Sequence, residues 1–178
     1  MIMKGNLVSL RALEPEDVNL LYKWENDVNV WTISNTLKPF SKYTLKQFIN
    51  ASTADIYESK QWRLMIDSNT SDATVGIVDI FEFDPLHGRA GIGILIQEKY
   101  RNKGFAEETL EILKHYLFER LNLHQIYCNV MADNKASMAL FQKVGFEIVG
   151  VKKEWVYTKE GWKDEYLLQC LRKNQNKQ

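Results

Sequence analysis

Apolar and polar positions alternate from residue 7 to 13, with Val8, Leu10 and Ala12 set against Leu7, Ser9 and Arg11, which is the period of a strand. Glu14-Pro15-Glu16-Asp17 follows. Proline fits the first turn of a helix, and acids favour its N-terminus. Val18, Leu20, Leu21 and Trp24 give the 3–4 spacing of a short amphipathic helix. Positions 26–39 read as a loop closed by Pro39. Thr44-x-x-Gln47 resembles a capping box, with Leu45, Phe48, Ile49 and Ile56 following on a second helix. Positions 62–67, 74–83 and 90–96 read as strands, separated by a polar turn at 68–73 and a hairpin connection at 84–88. The strongest helix is 107–121, where Leu110, Leu113, Leu117 and Leu121 form one stripe opposite Glu and Lys. A strand at 126–131 and a short helix at 135–143 follow, the latter stopped by Val144-Gly145. Positions 146–157 and 166–171 close the pattern as two strands around Lys159-Glu160-Gly161.

The pattern contains no repeat and no linker, so residues 1–178 read as one mixed α/β domain with a polar tail at 172–178 expected to be mobile. A chain of 178 residues buries roughly 70% of its unfolded surface, so its core needs no disulfide or metal. Lys and Arg total 23, Asp and Glu also 23, and a net charge of zero lacks the footprint of a nucleic-acid binder. Cys128 and Cys170 form no Cys-x-x-Cys pair and only three His occur, which argues against a zinc site and for reduced thiols in a cytoplasmic protein. No signal peptide or membrane-length apolar run is visible.

Candidate chemistry begins where the strand at 90–96 runs into Tyr100-Arg101-Asn102-Lys103-Gly104-Phe105-Ala106 and then the long helix. The outward N–H groups of a helix start, its dipole and a glycine that admits close approach make an anion site suited to a pyrophosphate. Arg101 and Lys103 add charge. No Gly-Lys-Ser/Thr follows, so this is not a nucleoside-triphosphate P-loop, and it lacks the three glycines of a dinucleotide fingerprint.

Arg101-x-x-Gly104-x-Ala106 resembles the pyrophosphate loop of the GNAT N-acetyltransferases. The stretch from Asn134 through Ser137, Leu140, Phe141 and Lys143 to Gly145-Phe146 is similar to that family's downstream segment. The opening Leu10-Arg11-Ala12-Leu13-Glu14-Pro15 and the residues 150–168 resemble the branch holding spermidine and ribosomal-protein N-terminal acetyltransferases. The resemblance implies a GNAT-type α/β domain: a mixed, mostly antiparallel sheet of about seven strands, splayed central parallel strands and about four helices. It implies acetyl-CoA as cosubstrate and no metal. The pantetheine arm would pair with Ile94, Leu95 and Ile96, and the pyrophosphate would rest on Arg101, Asn102, Lys103, Gly104, Phe105 and Ala106. Asn134 would bond the pantetheine or adjacent backbone, and Lys143 would sit near the nucleotide.

Two acid–base positions of many family members are vacant: Phe141 stands where a Tyr is common, and Gly91 where a Glu follows Arg-Ala. The catalytic candidates are therefore Ser137 as acid, Asp79 in an apolar strand and Glu154. Alternation places Asp79 and Glu82 on opposite faces, which favours Asp79 alone. Glu25, Trp31 and Asp79 are the acceptor-binding candidates. The stretch 31–40 carries no acid, which weighs against a polyamine acceptor.

The resemblance implies an acetyl-CoA-dependent transfer to a primary amine, either a peptide N-terminus or a small amine. The alternatives are a catalytically weakened acyl-CoA-binding or sensing protein and a spermidine-type N-acetyltransferase. The expected partners are that small molecule or protein N-terminus and a second copy of the chain as a homodimer, with no nucleic acid and no membrane.

Overall fold

A computed structural model describes residues 3–27, 31 and 37–172. Seven strands form one sheet: β1 (Val8–Arg11), β2 (Trp62–Ser68), β3 (Thr74–Asp84), β4 (Arg89–Ile96), β5 (Gln125–Met131), β6 (Glu147–Thr158) and β7 (Gly161–Leu171). Their order across the sheet is β1-β2-β3-β4-β5-β7-β6. Only β4 and β5 run parallel, and they pair at just three positions, Arg89–Gln125, Ala90–Ile126 and Gly91–Tyr127. Beyond that point β4 remains paired with β3 and β5 with β7, so a gap opens between the two central strands.

Five α-helices lie among the described residues: α1 (Val18–Glu25), α2 (Lys42–Ala51), α3 (Ile56–Ser59), α4 (Phe105–Glu119) and α5 (Lys135–Lys143). None is long and apolar enough to cross a membrane. The extra helix arises because the expected second helix is two. Its N-cap is Ser41, whose hydroxyl accepts the Thr44 N–H at 3.0 Å, and Asp55 caps α3 separately by accepting from Tyr57. Strand β7 starts at Gly161, five residues before the expected 166. The hairpin with β6 carries the charged segment Lys163–Glu165 into the ladder. The mobile-tail expectation at 172–178 falls, apart from Arg172, outside the described residues.

One face of the sheet packs on α4 and α5. Leu110, Leu113 and Leu117 of the expected stripe are fully buried there with Ile92, Ile126 and Leu168, while Leu121 lies past the end of α4 at Glu119 and is half-buried. The other face is covered over β2 and β3 by α1 and α2, where Leu21, Trp24, Leu45 and Ile49 meet Met65 and Ile77. The N-terminal turn is held from α4: the Glu108 carboxylate accepts the N–H groups of Asn6, Leu7 and Val8 at 2.7–2.8 Å. Bonds to a charged acceptor contribute about 1.5–3 kcal/mol, and stranding these donors costs in that range. Glu108→Ala is therefore expected to lower unfolding free energy by about 2 kcal/mol in urea titrations, with Glu108→Gln less damaging.

Candidate active site

The loop between β4 and α4 has the backbone of an anion cradle. Asn102 and Gly104 both take positive φ, 59° and 83°, and Gly104 occupies the N-cap of α4. The N–H groups of residues 102–107 donate to no backbone carbonyl among the described residues. Successive unpaired amides in such conformations form a concavity for anions, reinforced by the helix dipole. The two acids of the first turn are already occupied, Glu108 by β1 and Glu107 by Lys143 at 2.6 Å. Lys143 thereby ties the end of α5 to the start of α4. Arg101 donates from Nε to the Ile96 carbonyl at 3.1 Å, fixing the loop to the end of β4. On the side facing β5, Ile94, Leu95 and Ile96 have no partner strand. Asn134 caps α5, accepting the Ser137 N–H at 3.1 Å, so its side chain bonds adjacent backbone.

The acetyltransferase (GNAT) domain family matches residues 8–147. The chain belongs to the GNAT acetyltransferases. It is 26% identical over 146 residues to the spermidine N(1)-acetyltransferase of Escherichia coli (strain K12), covering 80% of this chain and 74% of that one. It is 25% identical over 178 residues to the probable N-acetyltransferase YjcK of Bacillus subtilis (strain 168), covering 96% and 97%. Its fold superposes on the crystal structure of spermidine N-acetyltransferase from Vibrio cholerae in complex with CoA and spermine. The TM-score is 0.83 at 25% identity, over 92% of this chain and 95% of that one. This GNAT protein is thus an acetyl-CoA-dependent N-acetyltransferase of primary amines.

The face of the acetyltransferase sheet opposite α4 carries the acceptor candidates. Arg63 on β2 sits directly across from Asp79 on β3 and grips both its oxygens, Nε to Oδ1 at 2.6 Å and Nη2 to Oδ2 at 2.8 Å. The remaining Nη1 donates to Glu25 at the end of α1, and the Phe48 ring lies 5.3 Å from the guanidinium. Burial pulls the Arg63 pKa down, but the two carboxylates outweigh it and raise it further above its ordinary value, so this cation persists at every working pH. Trp31 donates from Nε1 to the Glu25 carbonyl at 2.8 Å. The structure therefore joins Glu25 and Asp79 through one arginine that sequence reading did not single out, with Trp31 attached to the Glu25 backbone. An arginine 16 positions from its acid gives no local signal; only the strand register reveals it. Each Asp79 oxygen thus accepts one bond from Arg63, which fixes the orientation of the carboxylate.

Alternation fails between Phe81 and Asp84. The β3–β4 register slips there, and Glu82 takes a positive φ of 49°. Phe83 turns into the helix-side core and its N–H is taken by the Lys60 carbonyl. Glu82 instead reaches Tyr127 on β5, which also meets the Phe81 ring edge-to-face. The expectation that Asp79 and Glu82 lie on opposite faces is corrected by this bulge, since an extra residue resets the period. The bulge also accounts for Gly91: a Cβ there would lie 2.1 Å from the Phe81 ring. Phe141 is buried in the core, packed edge-to-face on Phe146 at 5.1 Å.

The remaining two candidates lie elsewhere. Ser137 is a half-buried residue in the first turn of α5. Glu154 is exposed, at φ 49° in an irregular part of β6, its N–H held by Asp164 at 2.9 Å. The flanking Lys152 pairs with Glu165 and thence with Met131, the last residue of β5. Glu154 therefore stands beyond the end of β5, roughly 13 Å or more along the strands from Tyr127.

Proposed function

We propose that the acceptor is a small amine of the polyamine class. The carrying observation is the charge of the acceptor face. Among the described residues, four clustered carboxylates, Glu25, Asp79, Glu82 and Asp84, are met by two guanidinium groups, Arg63 and Arg89, while the nearby Glu165 is balanced by its own Lys152. The excess is spread along β3, where Asp79 and Glu82 are separated by roughly 10 Å of strand. An extended molecule with two ammonium groups meets such a face better than a peptide N-terminus with one. The names of the relatives from Escherichia coli and Vibrio cholerae support the same class. The acid-free stretch 31–40 by itself points away from polyamines; positions 32–36 lie outside the described residues, and in this reading the acids come from β3 and α1.

In this reading the pyrophosphate rests on Asn102–Ala106 with Arg101, Lys103 and Lys143 around it. The thioester arm lies along Ile94, Leu95 and Ile96 in the gap between β4 and β5. Asn134 and Ser137 shape the start of α5 beside that gap. Asp79 and Glu25, ordered by Arg63, hold the far ammonium, with Trp31 fixing the end of α1. A second copy of the chain is the expected partner. Its support is the β6–β7 hairpin, which exposes Trp155, Tyr157 and Trp162 together.

The test is acetyl transfer from acetyl-CoA to spermidine, a monoamine of similar length and a short peptide. We expect kcat/KM for spermidine to exceed the monoamine value at least tenfold, because only the triamine fills both acidic positions. A peptide with the highest kcat/KM of the three contradicts the proposal.

A further inference from the structure

We propose that Glu82 and Tyr127 are the proton-handling pair of the transfer, the carboxylate accepting from the attacking amine and the phenol donating to the departing thiolate. The inference rests on the acetyltransfer reading, though not on which amine is the acceptor.

Several independent observations meet at this pair. Glu82 is a non-glycine residue held at φ 49° at the bulge near the end of β3, a conformation that costs energy and persists where the surroundings impose it. The bulge that imposes it swings the carboxylate onto the acceptor face, where it accepts a hydrogen bond from the Tyr127 hydroxyl. Tyr127 is the last residue of β5 to pair with β4, so it stands at the root of the gap. The two side chains line an open cavity of about 450 Å³ with Arg89, Gln125, Leu167 and Gln169. That is room for an aliphatic amine beside the gap.

The charges around the pair leave the carboxylate available. From the end of β3, Asp84 faces Arg89 of β4 at 3.3 Å and also accepts the His87 N–H, so these two engage one another. Gln125 on β5 and Gln169 on β7 are neutral and bonded together at 2.7 Å. Glu82, unlike Asp79, has no ion pair within 4 Å among the described residues. Burial first, and then the Glu82 hydrogen bond, push the Tyr127 phenol well above its ordinary pKa, so it carries its proton at neutral pH. Position 91, beneath the Phe81 ring, has no room for an acid, and Phe141 has no proton to give.

The step balances as follows. The acceptor ammonium loses one proton to water and becomes a neutral amine. As its lone pair bonds to the thioester carbonyl carbon, a second N–H proton passes to Glu82. The C–S bond then breaks with its electron pair on sulfur, and the Tyr127 O–H proton passes to that thiolate. The proton on Glu82 returns to the phenolate through their shared hydrogen bond. The products are the N-acetyl amine, the CoA thiol and one proton released to water, with both side chains restored.

The test uses Glu82→Gln, Tyr127→Phe and Glu82→Gly, with the best acceptor found for the wild type. General acid–base help is worth about 10²–10⁴-fold, so kcat in the first two should fall by about 10²-fold or more. Acetyl-CoA affinity by calorimetry should stay within about twofold of the wild type. The double variant should be little worse than either single one, because the residues act as a unit. Loss of the acid limb of the kcat/KM profile in Glu82→Gln marks the carboxylate as the base. Glu82→Gly relieves the strained backbone, so its Tm should hold or rise while kcat falls, a split that a merely structural residue would not show. Tyr127→Phe keeps the ring against Phe81 and remains informative if a Glu82 variant folds poorly. A kcat within threefold of wild type with an unchanged pH limb in either Glu82→Gln or Tyr127→Phe overturns the proposal. If the best acceptor proves to be a peptide or a monoamine, the polyamine proposal fails while these comparisons still decide the pair. A wild type that acetylates no amine overturns both.

Discussion

Replacing Arg63 with Met is expected to destabilise the fold by about 3–5 kcal/mol, the usual cost of removing one partner from a buried ionic cluster. Arg63 is the only cation joining Glu25 and Asp79 among the described residues, and Glu25 is buried at the end of α1. Methionine preserves much of the aliphatic stem and removes the guanidinium together with its contact over the Phe48 ring, so the loss reports on the cation rather than on stem volume. The triple variant Arg63→Met, Glu25→Gln, Asp79→Asn should recover most of the stability, since no charge is then left unpaired. The pH dependence follows from the sign of the perturbation. An unpaired buried carboxylate has a folded-state pKa above its unfolded value, so it weakens the fold as pH rises through that range. The deficit of Arg63→Met relative to wild type should therefore shrink on acidification toward the unperturbed Glu value of about 4.3. A constant deficit between neutral pH and that value in urea titrations would show that packing, not charge, is what Arg63 contributes.

Gly104→Glu should lower acetyl-CoA affinity at least tenfold, about 1.4 kcal/mol or more. Gly104 is the left-handed N-cap of α4, and a Cβ there would approach Leu7 Cδ1 at 3.1 Å. A carboxylate grown from this position competes for the unpaired N–H groups of residues 102–107 and repels an incoming pyrophosphate. Gly104→Ala separates the two effects, because it carries the backbone strain without the charge. Its affinity should lie between those of wild type and Gly104→Glu. Wild-type affinity in a folded Gly104→Glu protein would remove this loop from the pyrophosphate site.

Much of this architecture is written in short-range pattern. The α4 stripe of Leu110, Leu113 and Leu117 and the bounds of α5 at Lys135 and Lys143 follow from the helical period and from Asn134 as a cap. The cradle at Asn102–Ala106 is legible because one glycine before a helix is a local signal. The acceptor face is not legible in this way. The Arg63–Asp79 pair depends on the β2–β3 register. Glu82 depends on a bulge whose extra residue is defined only by what β4 skips between Arg89 and Gly91. Period-2 reasoning assigns Glu82 to the wrong face because it assumes an unbroken ladder. Gly91, read as a missing acid, is the floor beneath Phe81. Thr44-x-x-Gln47 satisfies the capping rule in sequence, but Ser41, three residues earlier, is the cap, because its hydroxyl accepts the Thr44 N–H and starts the helix first.

The central claim is that this fold still performs transfer with neither a tyrosine at 141 nor an acid at 91. The most direct measurement is release of CoA thiol from excess acetyl-CoA under multiple turnover, with and without spermidine, paired with mass analysis of the amine. The account predicts amine-dependent release of many thiols per chain and a matching amount of singly acetylated spermidine. Acetyl-CoA that binds in calorimetry yet releases no thiol with spermidine, a monoamine or a peptide would contradict it and leave a protein that senses the cofactor without using it.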